Sequence, residues 1–260
     1  MTGDPTLREL LEVAEDAART AGVKALTRFR DGVTTETKKD GTPVSVADRE
    51  AEATLRAVIG KAFPTHAILG EETGETAGSA PYRWIVDPID GTKSFVSGVP
   101  AWGVLVGVEV RGELVVGVAH LPALDEMISA ARGEGCTWNT WPCHVSSTPR
   151  IEDATIVTTS SRTLRQRAPD YAALADRAKH ERGWSDCWGY AIVATGRADV
   201  AIDAKLSPWD LAAFVPIIEE AGGRITDWRG ERTIHSGNVV ISNGLLHDEV
   251  LAAMGSGRVA

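Results

Sequence analysis

Apolar residues recur at helical spacing near the start of the chain. Leu7, Leu10, Leu11, Ala14, Ala17, Ala18 and Ala21 line one face of a helix predicted over 5–30, with Pro5 in its first turn. A polar, turn-prone stretch (31–47) follows, and then a second helix over about 48–62 that Phe63-Pro64 stops. From there the apolar residues gather into short β-branched runs. Strands are predicted at 67–69 and at 83–86, the latter ending at Asp87, and at 104–110 and 114–120, which Arg111-Gly112-Glu113 joins as a hairpin. The segment 73–81 reads as a polar loop and 132–147 as irregular, with Trp138 and Trp141. After about 154 strands and helices alternate: a strand at 154–159, helices at 168–181 and 187–196, a strand at 198–203, a helix at 209–221, a strand at 238–242 and a short helix from His247. The fold class is α/β in two lobes, an α+β lobe over 1–150 and an α/β lobe over 151–260.

Composition narrows the class of function. Hydrophobic residues are 43% and charged residues 24%, ordinary for a soluble globular protein with a sizeable core. A net charge of −9 disfavours a nucleic-acid partner, since a phosphate backbone demands clustered Lys and Arg. It leaves small phosphorylated substrates open, because a bound cation reverses the local sign of an acidic site. Cys136, Cys143 and Cys187 are odd in number and form no CxxC pair, so a reducing cytoplasm is the simpler expectation, with the Cys143-His144 pair an isolated match. The first residues carry no apolar signal core, and no run approaches a membrane span.

Chemistry concentrates in Trp84-Ile85-Val86-Asp87-Pro88-Ile89-Asp90-Gly91-Thr92. A strand delivers two aspartates at its carboxyl end, and Pro88 fixes the turn that presents them with the Ile89 carbonyl. Oxygen ligands of this kind suit Mg²⁺. Gly91 admits close backbone approach, and a helix opening at Thr92 would aim free N–H groups at an anion. Further acids stand at Gly70-Glu71-Glu72, at Asp48 and at Pro208-Trp209-Asp210. Singly, each has a plain alternative: turn chemistry for Asp87 and Asp90, helix N-caps for Asp48 and Asp210, a surface pair for the glutamates.

Together, Gly70-Glu71-Glu72, Asp87-Pro88-Ile89-Asp90-Gly91-Thr92, Trp209-Asp210-Leu211-Ala212-Ala213 and Ala221-Gly222-Gly223 resemble the inositol monophosphatase superfamily in order and spacing, across nearly the whole chain. The resemblance implies a layered αβαβα sandwich and a Mg²⁺-dependent phosphomonoesterase with two to three Mg²⁺ per site. Glu71, Asp87 and the Ile89 carbonyl match the ligands of one ion. Asp87, Asp90 and Asp210 match those of a second, and Glu71 with waters those of a third. Thr92, oriented by Asp48, matches the hydroxyl that helps activate the attacking water. The amides of Gly91 and Thr92 match a phosphate cradle, and Lys38 falls near a lysine at the rim of family sites. The resemblance also implies a homodimer; the Trp138–Trp141 loop packs at its interface, closes over a neighbouring site, or lies in the core.

Substrate choice rests on other residues. Ser185-Asp186-Cys187-Trp188-Gly189-Tyr190 places an acid at the mouth of a predicted helix, and Asp203 stands where the family has a glutamate that contacts the sugar alcohol. An N-cap is the alternative for Asp186, and a solvated strand end for Asp203. These residues, with the run from Pro208 to Glu219, Ala221-Gly222-Gly223-Arg224 and Gly244-Leu245-Leu246-His247, are most similar to the bacterial histidinol-phosphate phosphatase branch. That branch usually has Gly where Ser185 stands. The implied reaction converts L-histidinol phosphate and water to L-histidinol and phosphate, in histidine biosynthesis. An inositol monophosphatase, a broad-specificity sugar phosphatase and a non-catalytic regulator that kept the fold are the competing readings.

Overall fold

The computed structural model describes residues 4–29, 35–37, 43–168, 170–184 and 186–254, with backbone alone for 35–37 and 43–45. Ser185 and Lys38 lie outside the described residues. The elements, in chain order, are α1 (Leu7–Leu26), β1 (Thr35–Thr37), β2 (Pro43–Ser45), α2 (Val46–Ala62), β3 (Ala67–Gly70), β4 (Gly74–Thr76), β5 (Tyr82–Asp90), α3 (Thr92–Val96), β6 (Gly103–Val110), β7 (Glu113–Leu121), β8 (Glu126–Ala131), β9 (Gly135–Trp138) and β10 (Trp141–Pro142). After a 3₁₀ turn at Ile151–Asp153 come β11 (Thr155–Val157), α4 (Ser161–Arg167), α5 (Tyr171–Arg177), β12 (His180–Arg182), α6 (Cys187–Ala194), β13 (Val200–Ala204), α7 (Pro208–Leu211), α8 (Phe214–Glu220), β14 (Arg224–Thr226), β15 (Asn238–Ser242) and α9 (His247–Ala253).

The front sheet has eight strands in the order β10-β9-β8-β7-β6-β5-β3-β4, antiparallel except for the β3–β5 pair. The rear sheet has the order β12-β11-β13-β15-β14 and is mixed: β11 runs parallel to β12 and β13, while β15 runs antiparallel to β13 and β14. Strand alternation sorts the apolar side chains into three cores. Trp84, Val86, Val104, Val106 and Val108 turn toward α1 and α2. Ile85 and Leu105 turn the other way, onto α6 and α8, which Val157, Ala201, Val239 and Ile241 of the rear sheet also cover. Ile156, Val200, Ile202 and Val240 face α5 and α9. Helix, sheet, helix, sheet, helix: the layers form an αβαβα sandwich. Both sheets are covered on both faces, which is why the central strands β6, β7 and β15 read as near-continuous apolar runs. Residues before and after 150 share the middle core. No described helix is long and apolar enough to cross a membrane.

Several boundaries differ from the expected ones, each for a local reason. Helix α1 starts at Leu7, not Pro5, because Thr6 and Glu9 form a reciprocal capping box. The helix expected over 168–181 is α4 and α5, interrupted where Ala168 leaves helical geometry ahead of Pro169; its last residues are strand β12. The helix expected over 209–221 is α7 and α8, because Pro216 lacks the N–H that would bond the Ala212 carbonyl. Strand β5 does not stop at Asp87 but runs on to Asp90. Strands β4, β8, β9, β10 and β14 fall in stretches that the apolar pattern leaves as loop or unassigned.

Candidate active site

The β5–β6 ladder pairs Asp87 with Leu105 and Asp90 with Gly103, so Pro88 and Ile89 together oppose Val104 alone. This extra residue is a β-bulge. Its effect on the acids is specific: residues three apart on a regular strand face opposite sides, and one inserted residue returns them to the same side. Pro88, which has no N–H to give a ladder, occupies the one place in the strand where none is needed. The Ile89 N–H donates to Asp87 Oδ1 at 3.0 Å. Gly91 then takes a left-handed turn (φ 80°, ψ 38°), and any Cβ there would stand 2.9 Å from the Ala101 carbonyl oxygen. Thr92 opens the five-residue α3, its Oγ1 donating to the Ile89 carbonyl at 3.0 Å.

Asp210 arrives from the rear of the chain. Helix α7 starts at Pro208 behind Ser207, and the Ser207 N–H donates to Asp210 Oδ2 at 2.7 Å, so Asp210 is a first-turn acid rather than the N-cap. Carboxylate oxygens of Asp87, Asp90 and Asp210 all lie within 4.8 Å of one another. Burial pushes the Asp87 carboxyl well above the usual range, and the charges of Glu71, Asp90 and Asp210 push it further. Asp90 is raised by burial and then by Asp186 and Asp210, against the opposing bond from Cys187. Asp210 is pushed up to about 7, again chiefly by burial. Asp87, Asp90 and Asp210, raised by burial and by neighbouring acids, have the chemistry of a cation site: hard oxygen donors whose repulsion a divalent ion such as Mg²⁺ relieves.

Glu71 sits in the turn between β3 and β4, close enough to act on Asp87 and Asp210. Asp48 is buried (2% exposed) in the first turn of α2, which begins at Val46, so it too is not an N-cap. Asp186 precedes α6 with φ 53° and ψ −155°, a backbone region that glycine favours, and its side chain makes no capping bond. Its Oδ2 stands 3.5 Å from where a Gly91 Cβ would be, and its Oδ1 is 3.4 Å from Thr159 Oγ1. Burial raises this carboxyl, while Thr159 and the charge of Lys93 oppose the rise. The structure thus gathers Glu71, Asp87, Asp90, Asp210 and Asp186 around the β5 bulge.

Asp203 is placed differently. It is 2% exposed, so it is not a solvated strand end. Its carboxylate accepts from Thr158 Oγ1 (3.1 Å), the Thr159 N–H (2.7 Å) and Tyr190 OH (3.0 Å), so it holds Thr159 in place next to Asp186. Burial pushes Asp203 up to about 7. The three cysteines are free and buried. Cys143 faces Cys136 with sulfurs 3.4 Å apart, and Cys187 lies beside Asp90, which with burial pushes its thiol up and leaves it no thiolate nucleophile. Two further residues enter the site without having been singled out in the sequence. Lys93 faces Asp186, and Glu52 reaches the Glu71 turn from α2. An acid within the apolar face Ala47, Ala51, Leu55 was the available signal for Glu52.

The chain is similar to known proteins along nearly its whole length. The sequence model of the inositol monophosphatase family matches residues 6–257. A histidinol-phosphatase of Chlorobaculum parvum is 41% identical over 252 residues, covering 95% of this chain and 97% of the relative. A histidinol-phosphatase of Mycobacterium tuberculosis is 39% identical over 245 residues, 89% and 93% of the two chains. Among solved structures, the extragenic suppressor protein SuhB of Bartonella henselae superposes with a TM-score of 0.90 at 30% identity, covering 96% of this chain and 99% of that one.

Proposed function

The chain belongs to the inositol monophosphatase family, and we propose that it is the metal-dependent phosphatase that converts L-histidinol phosphate and water to L-histidinol and phosphate in histidine biosynthesis. The observation that carries the substrate is the carboxyl of Asp186 over Gly91, beside Asp90. A phosphate ester held at the β5 bulge would direct its alcohol portion toward that acid. Histidinol phosphate bears an ammonium and an imidazole there, whereas a neutral polyol offers the carboxylate hydroxyl donors but no charge to pair with.

In this reading Glu71, Asp87, the Ile89 carbonyl, Asp90 and Asp210 hold Mg²⁺, two to three ions in all. Bound, the cations lower the pKa of an attacking water and offset charge on the phosphoryl oxygens. The Thr92 hydroxyl, oriented by Asp48, positions that water, and the Gly91 and Thr92 N–H groups bind the phosphate. Asp186 flanks the amine end of the substrate, and Asp203 acts through Thr159 and Tyr190. The free, buried thiols support a reducing cytoplasm. Trp141, 76% exposed on the edge strand β10, supports a homodimer formed through that hairpin.

Phosphate release from histidinol phosphate, inositol 1-phosphate and fructose 1,6-bisphosphate, measured with Mg²⁺, tests the substrate. Histidinol phosphate should have the highest kcat/KM. A tenfold or larger preference for inositol 1-phosphate would overturn the histidinol assignment, and no Mg²⁺-dependent activity on any ester would overturn the enzyme.

A further inference from the structure

Glu52 is fully buried, an acid on the apolar face of α2. Its carboxylate accepts the Glu72 N–H at 2.7 Å, the Thr73 N–H at 3.2 Å and the Thr73 hydroxyl, the three donors that follow Glu71 in the β3–β4 turn. Arg56, one helical turn on, pairs with Glu52 at 2.8 Å. The same guanidinium donates to the Gly74 carbonyl at 2.6 Å and to Thr76 Oγ1 at 3.0 Å, so it holds the far side of the turn as well. Gly70 lies flat against the Glu52 carboxylate, where any Cβ would overlap it; that is the reason for glycine before Glu71. A buried carboxylate with this many donors is fully satisfied, and Arg56 cancels a charge that would otherwise add to the repulsion around Glu71.

Resting on the proposed function, we infer that Glu52 is a positioning residue: with Arg56 it holds the turn that carries Glu71 in the pose that meets Asp87 and Asp210, and so sets the affinity for the divalent cation rather than the turnover of the loaded enzyme. Helix α2 thereby serves the site twice, through Asp48 and one turn later through Glu52. The Glu71 turn has three residues between short strands, and β4 is an edge strand of three residues. Without its anchor, the turn has little else to define it, and Glu71 would have to be ordered by the cation itself.

The test is a calorimetric Mg²⁺ titration of the full chain without substrate, paired with phosphate release at saturating Mg²⁺. In Glu52→Gln, which keeps the volume but loses the charge, Mg²⁺ affinity should fall about tenfold to a hundredfold, the range for residues that orient metal ligands. Turnover at saturating Mg²⁺ should stay within about threefold of wild type. Thr73→Val removes one donor while leaving the Glu52–Arg56 pair, and should weaken Mg²⁺ by a smaller factor; it carries the test if Glu52→Gln does not fold. Wild-type affinity in a folded variant, or lost turnover at unchanged affinity, would overturn the inference. A wild-type chain that binds no Mg²⁺ would overturn the metal reading and this inference with it.

Discussion

Gly107 of β6 and Gly117 of β7 stand directly opposite each other, and Ala212 and Ala213 rest on the pair. A Cβ at Gly117 would overlap the Ala213 carbonyl oxygen, and one at Gly107 would lie 2.7 Å from the Ala212 carbonyl carbon and Cβ. The two glycines let a helix bend touch a sheet backbone, two residues beyond Asp210. Gly117→Ala should destabilise the protein by roughly 3 kcal/mol in urea unfolding, the upper range for overpacking, and weaken Mg²⁺ binding by displacing α7. Gly60→Ala is the control. Its Cβ would meet nothing, and in the interior of α2 it should stabilise by about 0.5–1 kcal/mol.

Asp90 joins the two halves of the site. It is a member of the acidic cluster, and the Cys187 N–H donates to its Oδ2, linking β5 to the first turn of α6. Asp90→Asn should lower turnover at least about a hundredfold with the circular-dichroism spectrum unchanged. A folded Asn variant with near wild-type turnover would remove Asp90 from the cation site.

The raised carboxyls at Asp87, Asp90 and Asp210 couple cation binding to pH. A carboxyl with a folded pKa above its unfolded value contributes stability below about 3.8 and loses it as pH rises through about 7, the Asp210 value. The cation-free chain therefore weakens toward neutral pH, while Mg²⁺, which needs the deprotonated acids, binds more tightly there. The rise in Tm on replacing EDTA with Mg²⁺ should be larger at pH 8 than at pH 6. Binding at pH 7 should release protons, seen as a dependence of the calorimetric enthalpy on buffer.

Asp186 should separate substrates. Asp186→Asn should raise KM for histidinol phosphate by about tenfold or more, the worth of a charged hydrogen bond, and leave inositol 1-phosphate nearly unaffected. An equal loss on both esters would make Asp186 a structural residue of the α6 entrance.

His247 predicts an acid limit to stability. It is fully buried between Thr226 Oγ1 and Ser242 Oγ, each 2.9 Å away. Thr226 Oγ1 donates to the Asp227 carbonyl, so it accepts from Nε2–H, and Nδ1 takes the Ser242 hydroxyl. Burial holds the imidazole near pKa 4 against 6.5 unfolded. The folded value is depressed, so the contribution is complete above about 6.5 and is lost as pH falls toward 4, roughly 3 kcal/mol in all. The His247 ring resonances in NMR should stay neutral down to pH 5; titration near 6.5 would refute the assignment.

The acids were legible as candidates at a strand end with Pro88, after a glycine at Glu71 and near a helix start at Asp210, but each had a plain alternative alone, and it was their order and spacing shared with the family that joined them. The bulge was not, since a ladder register belongs to two strands and only β6 reveals that Pro88 and Ile89 share one partner. The burial of Asp203 was hidden for a similar reason. From one strand its exposure cannot be read; the buried side is decided by Tyr190 and Thr158, neither adjacent in sequence. Strands β8, β9 and β14 were hidden because short strands rich in Ser, Thr, Gly and Ala lack a strong period, and their neighbours decide their state. Glu52 and Lys93 carry no motif of their own, only a position that the fold makes useful.

The seat of Ala212 and Ala213 on the front sheet also sets an order for synthesis. Glu71, Asp87 and Asp90 leave the ribosome more than a hundred residues before Asp210, and with them an apolar sheet face around Gly107 and Gly117 whose cover by Ala212 and Ala213 has yet to be made. Until the α7–α8 segment emerges, the nascent chain presents a sticky, half-built site. Premature termination anywhere before residue 210 would leave an aggregation-prone remnant rather than a weaker enzyme, because the segment from Asp210 to Glu220 carries both a cover of the core and the final acid.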